Sequence, residues 1–73
     1  MYENLKEEVG KRLKERREQL KLTQRQVAEA LNLAQPVYQR FEKGVFECSY
    51  SQIVAICQFY DISADYLLGL KDY

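Results

Sequence analysis

Helix punctuation recurs at short intervals along this chain and leaves room for little except short helices. Thr23-Gln24-Arg25-Gln26 and Ser49-Tyr50-Ser51-Gln52 each place a hydroxyl residue three positions before a Gln. At that spacing the hydroxyl accepts from a backbone N–H inside the helix while the amide reaches back to the capping residue. Asn4 with Glu7 has the same form, and Ser63 offers a simpler cap. Stops lie between the starts. Asn32 tolerates the left-handed backbone that ends helices, and Gly44 and Gly69 suit it. Pro36 fits only a first helical turn. β-Branched residues are few and scattered, and one Pro with three Gly is too little for a fold built from tight turns.

The apolar spacing agrees with this punctuation. Leu5, Val9, Leu13 and Leu20 lie close to one face at about 100° per residue, which predicts a helix over about 5–20. Val27, Ala28 and Leu31 mark a second over 24–31, and Tyr38 and Phe41 a third over 35–43. Ile53, Ile56, Cys57 and Tyr60 stripe a fourth over 50–60, and Tyr66, Leu67 and Leu68 a short fifth over 64–68. Gly10 inside the first helix costs about 1 kcal/mol against Ala, so it marks a close packing contact or is merely tolerated. Five helices joined by short turns in 73 residues predict one compact all-α domain over 1–73. A domain this small buries only about 60% of its unfolded surface and has little room for a deep pocket. No enzyme is expected.

Composition excludes further classes. There is no His, which removes the commonest general base and metal ligand. Cys48 and Cys57 have eight residues between them and form no CxxC pair, so neither zinc nor any other cofactor is expected. Cys57 reads as a small buried hydrophobe, and Cys48 as a loop thiol without an activating neighbour. No apolar run approaches a membrane span, and the N-terminus opens into charged residues unlike a secretory leader. A reducing, cytoplasmic compartment and, from Met1, a complete protein are the expectations. The net charge of zero hides an asymmetry. Residues 1–43 carry 10 basic and 7 acidic side chains, and residues 44–73 carry one basic and four acidic. The basic half is suited to a polyanion.

Segment 24–43 has the grammar of a helix-turn-helix, in which two short helices cross steeply with about three residues between them. Ala28 supplies the small residue at the crossing and Asn32 the turn. Val27, Leu31, Leu33, Tyr38 and Phe41 are its apolar anchors. The outward side of its second helix reads Gln35, Gln39, Arg40 and Lys43.

These residues resemble the phage-repressor and Cro-like helix-turn-helix family, the XRE-type regulators. The likeness runs through Arg12-Leu13-Lys14-Glu15-Arg16-Arg17, Leu22-Thr23-Gln24 with Ala28 and Leu31, Glu42-Lys43-Gly44, and Ser63-Ala64-Asp65-Tyr66-Leu67-Leu68-Gly69. It covers roughly residues 9–69. It implies a five-helix repressor-like DNA-binding domain, usually dimeric, that reads double-stranded DNA as a transcriptional regulator. The chain departs from the family at Asn32, where Gly is common, at Ala34, where Ser or Thr is common, and at Pro36, where a polar residue is common.

The resemblance implies roles for particular residues. Gln24 is expected on a DNA phosphate. Gln35, Gln39 and Arg40 are expected on base edges or phosphates, since Gln pairs with adenine and Arg with guanine. Val37 is suited to a thymine methyl or to local packing, and Lys43 to a phosphate. Pro36 places no polar group in the groove, so the base opposite is read poorly or through shape. Arg17 is expected to pair with Glu42 and fix the third helix against the first.

Tyr38, Tyr50, Tyr60 and Tyr66 superficially resemble a stacking platform, but Tyr38 and Tyr60 lie on apolar faces and belong in a core. Phe46, Tyr66, Leu70 and Tyr73 are hard to bury in so small a domain and point to homodimerisation through the C-terminal part. Two rival readings are an antitoxin-like module that holds a protein partner, with DNA binding secondary, and a small-molecule or redox sensor.

Overall fold

The computed structural model describes residues 4–72, which form five α-helices and no strand. They are α1 (Leu5–Gln19), α2 (Gln24–Ala30), α3 (Gln35–Glu42), α4 (Tyr50–Tyr60) and α5 (Ala64–Leu67). Every expected helix is present, and four of them end one residue earlier than the pattern predicts.

Three of the five starts carry a side-chain cap. Thr23 Oγ1 accepts from Gln26 N at 3.0 Å while Thr23 N donates to Gln26 Oε1 at 2.8 Å. Ser49 and Gln52 close the same reciprocal pair, and Ser63 Oγ accepts from Tyr66 N at 3.0 Å. Asn4 does not cap. It stands at the N-cap of α1, but its backbone at φ −112°, ψ 25° makes no side-chain cap bond. An N-cap side chain turns toward the first helical N–H groups from extended backbone, which Asn4 lacks. Ala34 begins α3 from extended backbone with no side-chain bond, and Pro36 lies in the first turn, where its missing N–H costs nothing.

The stops share one device. After each of the five helices the chain turns through a left-handed residue, in order Lys21, Asn32, Gly44, Asp61 and Gly69. After α2, Asn32 N donates to Glu29 O and Leu33 N to Ala28 O, which satisfies carbonyls the helix leaves open. Lys21 has neither the bare backbone of Gly nor the short amide of Asn. Its conformation is set by Leu22 N folding back to Arg17 O at 3.1 Å.

The core consists of Leu13, Val27, Ala28, Tyr38, Phe41, Ile56, Tyr60 and Leu67. Val9, Leu22, Leu31, Leu33, Val37, Ile53, Cys57 and Ile62 pack around it. Leu20 is not part of the α1 apolar face. It is 40% exposed, because it follows the last turn where the chain leaves through Lys21. Cys57 is half-buried rather than enclosed, and so is Cys48. Of the C-terminal apolar residues, Leu70 is exposed and Tyr66 half-buried, while Tyr73 lies outside the described residues.

α1 packs against α3 and α5, and α3 against α2. Gly10 sits where α1 meets the C-terminal end of α3. A Cβ built there would lie 2.5 Å from Glu42 O and 2.7 Å from Phe41 O, both backbone atoms. The glycine is therefore a contact and not a tolerated flaw. Gly10→Ala should lower stability by about 1–3 kcal/mol through overpacking, although Ala is the better helix former. A thermal melt that is unchanged or raised would contradict this close approach.

Candidate nucleic-acid interface

The C-terminal end of α3 is held by a buried carboxylate. The Glu42 side chain is 3% exposed and that of Arg17 is 13% exposed. Arg17 Nε donates to Glu42 Oε2 at 2.7 Å and Nη2 to Oε1 at 3.1 Å, a two-pronged match of planar groups. The remaining Arg17 nitrogen, Nη1, donates to Leu22 O at 3.0 Å. Gln24 Nε2 donates to Glu42 Oε1 at 3.0 Å, which brings in α2. Burial alone would raise the Glu42 pKa. Hydrogen bonds from Arg17, Tyr38 and Gln24, with the Arg17 charge, outweigh it and hold the carboxyl below its ordinary value.

Beneath this pair the hydroxyls of Tyr38 and Tyr60 bond to each other, joining α3 to α4 inside the core. Both rings are fully buried, which places these two tyrosines in packing and not in a stacking platform. Burial, with the bond to Tyr60, raises the Tyr38 pKa, and burial pushes Tyr60 up to about 12. Both phenols therefore stay neutral at physiological pH.

With Tyr38 and Phe41 fixing the inner side, rotation at about 100° per residue defines the outer one. Pro36 and Lys43 lie near its centre, both exposed. Gln35 and Gln39 lie toward one edge, the first exposed and the second half-buried. Arg40 lies toward the other edge, exposed, with its guanidinium carbon 5.5 Å from the centre of the Phe46 ring. Val37 is half-buried and packs against the core, with part of its side chain left at the surface. Gln24 is half-buried, with one amide hydrogen committed to Glu42. The remaining face offers two amides and two cations with no competing carboxylate, chemistry that matches base edges and phosphates.

Arg12 and Arg16, within the stretch that carries the family resemblance, reach from α1 to the ends of two other helices. Arg16 Nε donates to Tyr60 O at 2.8 Å, and Arg12 Nη1 to Leu67 O at 3.4 Å. Each guanidinium thus serves the open carbonyls at the C-terminal end of another helix, the end that favours a cation. Nothing in the arginine spacing along α1 names these acceptors, which lie 44 and 55 residues away. Burial, aided by nearby Cys57, pushes the Cys48 thiol up to about 11, which argues against a reactive thiolate. Among the described residues no helix is long and apolar enough to cross a membrane.

Two short helices joined by a tight left-handed turn, the second polar outside and pinned from within, define a helix-turn-helix unit. The helix-turn-helix family profile matches residues 13–67, and the chain belongs to that family, in its XRE type. Similar proteins from Bacillus subtilis (strain 168) carry the same unit. One, named uncharacterized HTH-type transcriptional regulator YqaE, is 41% identical over 77% of this chain and 48% of its own length. Another, uncharacterized HTH-type transcriptional regulator YobD, is 36% identical over 84% of this chain and 54% of its own. HTH-type transcriptional regulator ImmR is 34% identical over 84% of this chain and 48% of its own. The chain spans about half the length of these curated relatives. No solved structure matches it significantly.

Because Glu42 is ionised more readily in the folded state, its contribution is complete above about pH 4.5 and is lost as pH falls through its lowered folded value. Glu42→Gln should therefore cost roughly 3–5 kcal/mol near pH 7, where Arg17 loses its partner. The gap between the two proteins should narrow on acidification below pH 4.5. Denaturant melts at several pH values test both points, and a constant gap would show that the carboxylate charge is not what matters.

Proposed function

We propose that this chain is a sequence-specific, double-stranded-DNA-binding transcriptional regulator that docks α3 in the major groove. The observation that carries this reading is the outer face of α3, where Gln35, Gln39, Arg40 and Lys43 surround Pro36 on a helix held from behind by Glu42. The names of the similar regulators support it. Gln35, Gln39 and Arg40 read bases or grip phosphates. Lys43 and the second amide hydrogen of Gln24 contact the backbone. Pro36 brings no hydrogen-bonding side chain, so the facing base is selected through shape. The protein acts in the cytoplasm without a cofactor and is not an enzyme.

The same reading includes a homodimer, with half-buried Tyr66 and exposed Leu70 on the acidic, C-terminal side. Exposed Phe46, whose ring lies beneath Arg40 and also edges the groove between α1, α4 and α5, belongs to the same homodimer reading. A second reading, an antitoxin-like module, is favoured by one observation, an apolar groove of about 300 Å³ between α1, α4 and α5. Leu5, Val9, Ile53 and Leu68 line it. Co-purification of a stoichiometric protein partner that occludes this groove would select that reading.

Selection of bound sites from random duplexes supplies the DNA for the test. Arg40→Ala should cost about 1–3 kcal/mol and relax preference at one base pair. Lys43→Ala should weaken all duplexes alike and reduce the salt slope by about one. A preference left unaltered by replacing Gln35 and Arg40 together would overturn the readout. In sedimentation the protein should self-associate with rising concentration. A strict monomer, both free and on DNA, would remove the homodimer.

A further inference from the structure

We infer that Phe46 is a specificity-determining positioning residue, holding Arg40 ready for the groove. The inference rests on the reading of α3 as the groove-docking helix and adds a residue outside it.

Three features converge. Gly44 takes the left-handed conformation at φ +76°, and Val45 N donates to Arg40 O at 3.0 Å, so the chain doubles back over the last turn of α3. The turn is tight against α1, since a Cβ on Gly44 would lie 2.8 Å from Glu7 Cα. Phe46 N then lies 3.4 Å from the same Arg40 carbonyl, and its ring comes under the Arg40 guanidinium at 5.5 Å. Backbone and side chain of Arg40 are thus both met by one anchored loop.

The chemistry follows from the shape of the guanidinium. Its positive charge is attracted to the face of an aromatic ring. Its N–H donors fan outward in its own plane, so those turned away from the ring stay available to a base edge or phosphate. Arginine otherwise loses much rotamer freedom on binding, and a side chain already held loses less. Phe46 itself need not touch DNA. It narrows where Arg40 points and so sharpens the choice of base.

The test is a double-mutant cycle on the duplex selected by the wild-type protein. Phe46→Leu should weaken binding about two- to fivefold, the range of an exposed cation–aromatic contact, and flatten preference at the base pair that Arg40→Ala flattens. In the Arg40→Ala background Phe46→Leu should have no effect. Phe46→Tyr keeps an aromatic face and should retain the preference. In the free protein, the Arg40 side-chain protons should lose their ring-current shift in Phe46→Leu but not in Phe46→Tyr, a readout that needs no DNA. Equal losses from Phe46→Leu in both Arg40 backgrounds, or no ring-current shift in the wild type, would overturn the inference while leaving the α3 readout standing. An Arg40→Ala protein with unchanged base preference would overturn the readout and this inference together.

Discussion

The Glu42 carboxylate is the group on which the arrangement of the first three helices depends. A charge removed from water is tolerated only when partners replace its hydration, and two elements supply them, Arg17 from α1 and Gln24 from α2. Because Glu42 is the last residue of α3, satisfying it also orients that helix. The glycine at position 10 lets the backbone come close enough for the bond to form. Neither feature works alone. Without the glycine the helices stand apart, and without the ion pair a buried charge is stranded.

α1 is more than one side of the core. Its arginines reach three different chain reversals, through Leu22 O, Tyr60 O and Leu67 O. They act as a common set of caps for elements distant in sequence. This use of cations also changes the meaning of the basic N-terminal half. Part of its charge is directed inward, and Arg25 is paired on the surface with Glu29 at 3.3 Å. Arg40 and Lys43 on the outer side of α3 count for more than the regional charge excess does.

Local signals were the legible ones. Thr23, Ser49 and Ser63 mark helix starts through bonds that span three residues, and Asn32 and Gly44 mark stops through the geometry of one residue. Tyr38 and Tyr60 were placed correctly in the core because their faces are apolar. Asn4 resembled a cap in composition, but the backbone angle that aims a cap is not written in the residue type. The inward turn of Arg12 and Arg16 was hidden for another reason. Their acceptors are backbone carbonyls, which every residue carries, so no side-chain pattern announces them. For α3, its limits and outward polar residues were legible, whereas the commitment of Gln24 to Glu42 and the position of Arg40 over the Phe46 ring needed three dimensions.

The burial pattern of α3 divides its side chains into two sets with separate duties. Tyr38, Phe41 and Glu42 hold the helix in the domain, while Gln35, Pro36, Arg40 and Lys43 project away from it. Substitutions in the second set change the chemistry of the outer surface without opening a cavity or exposing a buried charge. The scaffold is therefore evolvable in a specific sense. Lineages can exchange the outward residues as a cassette and diverge in surface chemistry, while selection on folding continues to act on the inward set alone.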